Sequence, residues 1–181
     1  MKLLERLAIV IAAFIIAGAI IALLSGGLLA GRDTPGVIGA GTGIGTAYRD
    51  LGHANLRAGE LHPPYDSEPP TSGAHVPVPV TRDGAAITDD QLLQALQTGD
   101  VVFMYGGPGV PAGLTALAAR IAPPFSAGLA AAGQAVILAR RPGTTGILGI
   151  AWTRLVRVSS AADPLLGRFA RFALGRGAPR G

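Results

Sequence analysis

From Leu7 to Gly31 the chain runs without one charged side chain, and at about 1.5 Å rise per residue a helix of that length crosses a hydrocarbon core roughly 30 Å thick. The run opens as LAIVIAAFIIAGAIIALL, which can satisfy its backbone inside a bilayer only as a helix. The pattern predicts a single-pass cell-membrane protein with its span over 7–31. Lys2, Arg6 and the amino terminus precede the run with Glu5 alone against them, whereas Arg32 and Asp33 cancel after it. Positive-inside bias then places residues 1–6 in the cytoplasm and the C-terminal part outside. A cleaved secretory signal is the rival reading, but such signals carry an apolar region of about 7–15 residues and a pair of small residues before the cut. Here Ala30 would pair with Leu28. Gly18, Ala22, Gly26 and Ala30 recur every fourth residue and share one helical face, where small residues admit a second helix closely. The expected partners are the lipid bilayer and, through that face, a membrane protein or a second copy of the chain.

The remainder has the length of one domain with its own core. It divides into a Gly-rich linker over 32–50 and an extracytoplasmic α/β domain over 51–181. The formal net charge is +4, and the sequence pI near 10.3 reflects arginine's permanent protonation more than a strong positive field. Nucleic-acid binding is not implied. Arg168, Arg171, Arg176 and Arg180 crowd the C-terminus, a pattern that fits a solvated helix face better than contact with anionic headgroups. The absence of cysteine excludes disulfides, thiolate catalysis and zinc–thiolate sites together.

Within the linker, GAGTGIG at Gly39–Gly45 matches the Gly-rich loop with which short-chain dehydrogenases cradle a dinucleotide phosphate. That loop works only between a buried strand and a helix N-terminus. Here it has barely four residues, Pro35 to Ile38, to serve as a strand, and Lys2 is the only lysine, so a Tyr-xxx-Lys catalytic pair is absent. A flexible tether is the better reading.

Between His53 and Pro79 the chain is rich in proline, as in LHPPYDSEPPTSGAHVPVPV. Proline lacks the amide donor and fixes φ, so this segment should be extended or turning and should lie over the surface of something else. From Thr88 the pattern becomes regular. Thr88 and Gln91 make a capping-box pattern ahead of Leu92, Leu93 and Leu96, and Gly99 stops the helix. Val101–Tyr105 reads as a buried strand, and Pro111 opens a helix through Leu114, Leu117 and Ile121. Gln134–Ala139 and Ile147–Val158 read as two further strands or as a hairpin and its neighbour. Asp163-Pro164 caps a last helix whose buried stripe is Leu166, Phe169, Ala170 and Ala173. The predicted class is α+β, with the order αβαββα forming one mixed sheet that carries packed helices.

YDSEPPTSGAH (Tyr65–His75), ALQTGDVVFMY (Ala95–Tyr105), AW-x-R (Ala151–Arg154) and DPLLGRFARF (Asp163–Phe172) resemble a bacterial family of membrane-anchored proteins known only as a domain of unknown function. The resemblance covers about residues 50–180. The signature of that family is PPTSGPH, followed by HNLEHG on a helix entering a strand. Aligned on Gly99, its two histidines and glutamate fall on Gln94, Thr98 and Gln97, so the second motif is degenerate here. A thioredoxin-like half could be drawn through the same elements, but without cysteine it would lack redox function.

Imidazoles four apart on a helix converge on a transition metal, and this chain lacks that pair. The remaining candidate ligands are His53, His62 and His75, with Asp66, Glu68 or Met104 to complete a set. They lie on the Pro-rich segment, where solvated histidines are commoner than ligands, so no metal site and no cofactor are assigned. Ser72 and His75 stand three apart, but an activated serine needs an oriented base and an oxyanion hole. Thr71-Ser72-Gly73 reads as a turn whose hydroxyls serve the backbone. Asp66 and Glu68 read as solvated charges, and GGPG at Gly106–Gly109 as a turn. The sequence thus predicts no enzyme. It predicts a non-catalytic, membrane-anchored accessory or scaffold subunit docking on a larger membrane assembly, with a metal-handling protein of degenerate histidine site as the alternative.

Overall fold

The computed structural model describes residues 43–179. Within them the chain forms a mixed five-stranded sheet with four helices, in the order β1 (Thr46–Ala47), α1 (Asp89–Thr98), β2 (Val101–Tyr105), α2 (Leu114–Ala119), α3 (Ala127–Ala131), β3 (Val136–Arg140), β4 (Ile147–Ala151), β5 (Arg154–Val158) and α4 (Pro164–Ala173). The expectation of a single-pass membrane protein is corrected at this point. Among the described residues no helix is long and apolar enough to cross a membrane. The expected span over 7–31 and its small-residue face of Gly18, Ala22, Gly26 and Ala30 lie outside the described residues, as does most of the expected linker. The described residues form a mixed α/β domain.

The strand order is β1-β5-β4-β2-β3. β2 runs parallel to β3 and antiparallel to β4, while β4 and β5 form an antiparallel hairpin. The parallel β2–β3 pair requires a crossover, which α2 and α3 supply. Central position explains the composition of β2: every residue of VVFMY is buried, as expected of a strand covered on both faces. Alternation then sorts its side chains. Val101, Phe103 and Tyr105 point into one core with Leu114 and Leu117 of α2 and Leu166 and Phe169 of α4. Val102 and Met104 point into the other with Leu92, Leu93 and Leu96 of α1, Val80 and Trp152. Gly149 of β4 makes room for α4, since a Cβ there would lie 2.9 Å from Leu166 Cδ1 and 3.0 Å from Phe169 Cδ1.

Local signals set the helix ends. The Thr88 side chain accepts from the Gln91 amide, and the Gln91 side chain accepts in return from the Thr88 amide. Gly99 ends α1 in the left-handed region at φ 115°. Asp163 caps α4 by accepting from the Leu165 amide at 2.8 Å, and Leu166, Phe169, Ala170 and Ala173 are all buried.

Three elements differ from expectation. The helix anticipated from Pro111 begins at Leu114, because Gly113 precedes it in a left-handed conformation. Ser126 caps a short additional helix, α3. The end of the expected linker joins the sheet, where Thr46 and Ala47 pair with Leu155 and Arg154. The far edge of the sheet is also occupied. The Leu138 amide donates to Asp83 Oδ1 at 2.7 Å, Gly84 N–H donates to Leu138 O, and Arg140 N–H donates to Ala85 O.

Candidate functional site

Residues 48–80 contain no helix, yet they are closely tied to the domain. The Ser72 hydroxyl donates to Arg49 O at 3.0 Å and accepts from the Leu51 amide at 3.1 Å. Asp66 Oδ2 accepts from the Arg49 amide, Gly73 N–H donates to Gly52 O and Thr153 N–H donates to Thr71 O. Tyr48 N–H donates to Thr153 O, so the strap lies across the tip of the β4–β5 hairpin. Trp152 Nε1 donates to Asp50 Oδ2 at 3.2 Å. Proline removes amide donors from such a segment, and polar side chains replace the missing ladder. Gly73 is needed where it stands: its φ is 133°, and a Cβ would lie 2.8 Å from Tyr65 Cε1. The Tyr65 hydroxyl donates to Ala74 O, and burial pushes its pKa up to about 12, with the Asp90 and Asp89 charges acting in the same direction. Arg141 clasps the strap from below through ion pairs to Glu68 and to Asp89 of α1.

The three candidate histidines occupy separate environments. His62 is exposed and stacks on Tyr65 with ring centroids 4.2 Å apart. His53 meets the Trp152 ring edge-on at 6.1 Å. His75 is fully buried, and its Nδ1 lies 2.9 Å from Gly73 O. A carbonyl accepts only, so Nδ1 is the donor in that bond, and Nε2 is buried without a partner. Among the described residues no group of three or more His, Asp or Glu is placed to hold a metal. The Ser72 hydroxyl has both of its hydrogen bonds committed to backbone groups of Arg49 and Leu51.

Two clefts flank α1. One, of about 600 Å³, is lined by His53, Gln97, Thr98 and the 175–179 segment. The other, of about 390 Å³, lies between the strap around Pro77–Thr81, the Gln94–Thr98 part of α1, and α3. Gln94, Gln97 and Thr98 line these two clefts. The Oε1 atoms of Gln94 and Gln97 are buried without partners.

The sequence reading did not single out Asp100. This residue is 1 % exposed and joins α1 to β2. Its Oδ1 accepts from the Ala135 amide at 2.7 Å, whereas Oδ2 is buried with no partner. Desolvation raises its pKa to about 7 against the opposing pull of the Ala135 hydrogen bond. The available signal was an acidic residue set directly between a helix-ending glycine and a fully apolar strand.

A family model described as Protein of unknown function (DUF3105) matches residues 62–180, which is well over half of the chain. The chain belongs to the DUF3105 family. Comparison with curated proteins and with solved structures finds no match. The DUF3105 match begins inside the Pro-rich strap and runs through α4, so it takes in the later part of the strap and every strand of the sheet except β1.

Proposed function

We propose that this DUF3105 domain is a non-catalytic accessory or scaffold subunit that docks on a larger protein assembly. The observation that carries the reading is the use made of the polar residues in TSGAH and its surroundings. Ser72, Asp66 and Tyr65 bond to backbone groups, and Glu68 is paired with Arg141. A nucleophile or acid–base pair has to be free to meet a substrate, and these groups are engaged in holding the strap. The replacement of an HNLEHG-type motif by QALQTG at Gln94–Gly99 supports the same view. On the docking side, Leu61 is 92 % exposed and is followed by His62, Pro63 and Pro64, a pre-extended segment that meets a partner at low entropic cost.

The test is the size of the native particle. Gently extracted protein carrying a C-terminal tag should migrate well above the 18.2 kDa of the chain, and Leu61→Glu should shift it towards that mass with the fold unchanged by circular dichroism. A wild-type chain that migrates alone would defeat the proposal. The metal-handling alternative gains no support from the separate environments of His53, His62 and His75.

A further inference from the structure

The smaller cleft beside α1 combines three properties that together specify a ligand. Its walls are apolar, with Pro77, Pro79 and Val80 on one side and Ala127, Ala130 and Ala131 on the other. Two buried side-chain atoms of the lining residues have no hydrogen-bond partner, Asp100 Oδ2 and Gln94 Oε1, and both are acceptors. The Thr98 hydroxyl is engaged with Ala95 O at 2.8 Å. Finally, no Arg, Lys or His lines the cleft, so nothing among the described residues neutralises the carboxylate.

A buried carboxylate oxygen with no donor is unfavourable, and a charged donor relieves more of that cost than a neutral one. The complementary molecule has an N–H-rich cationic head and a short apolar body. A cleft of about 390 Å³ lies at the low end of small-ligand sites, which limits the body to a few methylene groups. We propose that this cleft binds a small primary alkylammonium, with its ammonium on Asp100 and Gln94 and its alkyl chain between the strap prolines and the alanines of α3. The proposal is independent of the docking role, because the cleft and Leu61 involve different residues.

The carboxyl must be ionised to hold the cation. Asp100 is the only titratable side chain lining the cleft among the described residues, and burial raises its pKa to about 7, so affinity should rise between pH 5 and pH 8. Calorimetric titration of the full chain with n-pentylammonium chloride tests the assignment, with n-pentanol as the neutral comparison. Saturable binding of the ammonium is expected, at least tenfold tighter than the alcohol and at least tenfold tighter at pH 8 than at pH 5. Asp100→Asn retains an oxygen for the Ala135 amide and should weaken binding tenfold or more. Ala127→Leu, at an exposed position, leaves Asp100 untouched and should block the cleft even if the first variant does not fold. Absence of saturable binding, equal affinity for the alcohol, a flat pH dependence, or unaltered binding in Ala127→Leu would each overturn the proposal.

Discussion

The sheet with its helices and the Pro-rich strap are held by different physics. In the sheet, ladder hydrogen bonds come from the backbone alone, and two apolar cores fix the faces. In the strap, residues 48–80 make few backbone bonds to the rest of the chain; side chains of Ser72, Asp66 and Tyr65 pin one stretch of the strap to another, and Asp50 ties it to Trp152, one contact at a time. Burial of a contiguous core is cooperative, whereas single side-chain pins can open locally while the core stays closed. The strap is thus the part able to respond to a partner at modest cost, and the sheet is the part that keeps its shape.

The sharpest way to break this comparison is in the core. Phe169 is fully buried, and Phe169→Ala should cost about 3–5 kcal/mol, read as a lowered urea midpoint for the whole domain. A loss under about 1 kcal/mol would mean that the α4 face is not tightly packed.

Asp100 is the polar exception within the apolar half, and its effect follows pH. Burial lifts its folded-state pKa to about 7, above the ordinary carboxyl value of 3.8. Between those values the folded form keeps a proton that the unfolded chain has released. Its contribution is therefore greatest below about pH 4, falls as pH rises towards 7 and levels off above. The slope should be at most about 1.4 kcal/mol per pH unit. Asp100→Asn should flatten stability against pH in that window, and an unchanged profile in chemical denaturation would refute the assignment.

Ser72→Ala removes both pins to Arg49 and Leu51. The expected cost is about 1–2 kcal/mol, concentrated in faster hydrogen exchange at the Leu51 amide with the β2 amides unaffected. If β2 exchange rose equally, strap and sheet would be one cooperative unit and the comparison would collapse.

The smallest effect is expected at the Arg141 clasp. Glu68 is 76 % exposed, and partly solvated ion pairs contribute little. Arg141→Gln should therefore cost less than about 1 kcal/mol, with a stability that no longer depends on salt in the wild-type manner.

Legibility in the sequence divides along the same line. α1, β2 and α4 could be read because their instructions are local: the Thr88–Gln91 reciprocal cap, a continuous apolar run in VVFMY, and the Asp163-Pro164 start. β1 could not, since two residues in a Gly-rich stretch gain strand character only from Leu155 and Arg154, far along the chain. A hairpin was one of two readings for this region, and the place of the β4–β5 turn was not legible because Thr153 takes φ 57° where glycine or asparagine would have announced it. α3 was missed because AGLAA has no polar–apolar contrast. At the site, TSG was legible as a turn. Its real partners, Arg49 and Leu51, lie on another stretch of the strap and were invisible to spacing. Asp100 was overlooked because one carboxylate beside a strand looks like a boundary marker until its burial is known.

The two margins of the sheet have a consequence for how this molecule can be recognised. β3 gives its outer hydrogen-bonding groups at Leu138 and Arg140 to Asp83, Gly84 and Ala85, and the opposite margin ends in a strand of two residues. A foreign peptide seeking to extend a sheet needs an open row of amides and carbonyls, and one margin is filled while the other offers only a short row. Runaway strand-by-strand polymerisation is disfavoured for the same reason. Among the described residues, what is left for a companion to read is chiefly the shape and side chains of the outer faces, as one reads a relief, and little of the weave that it could lengthen.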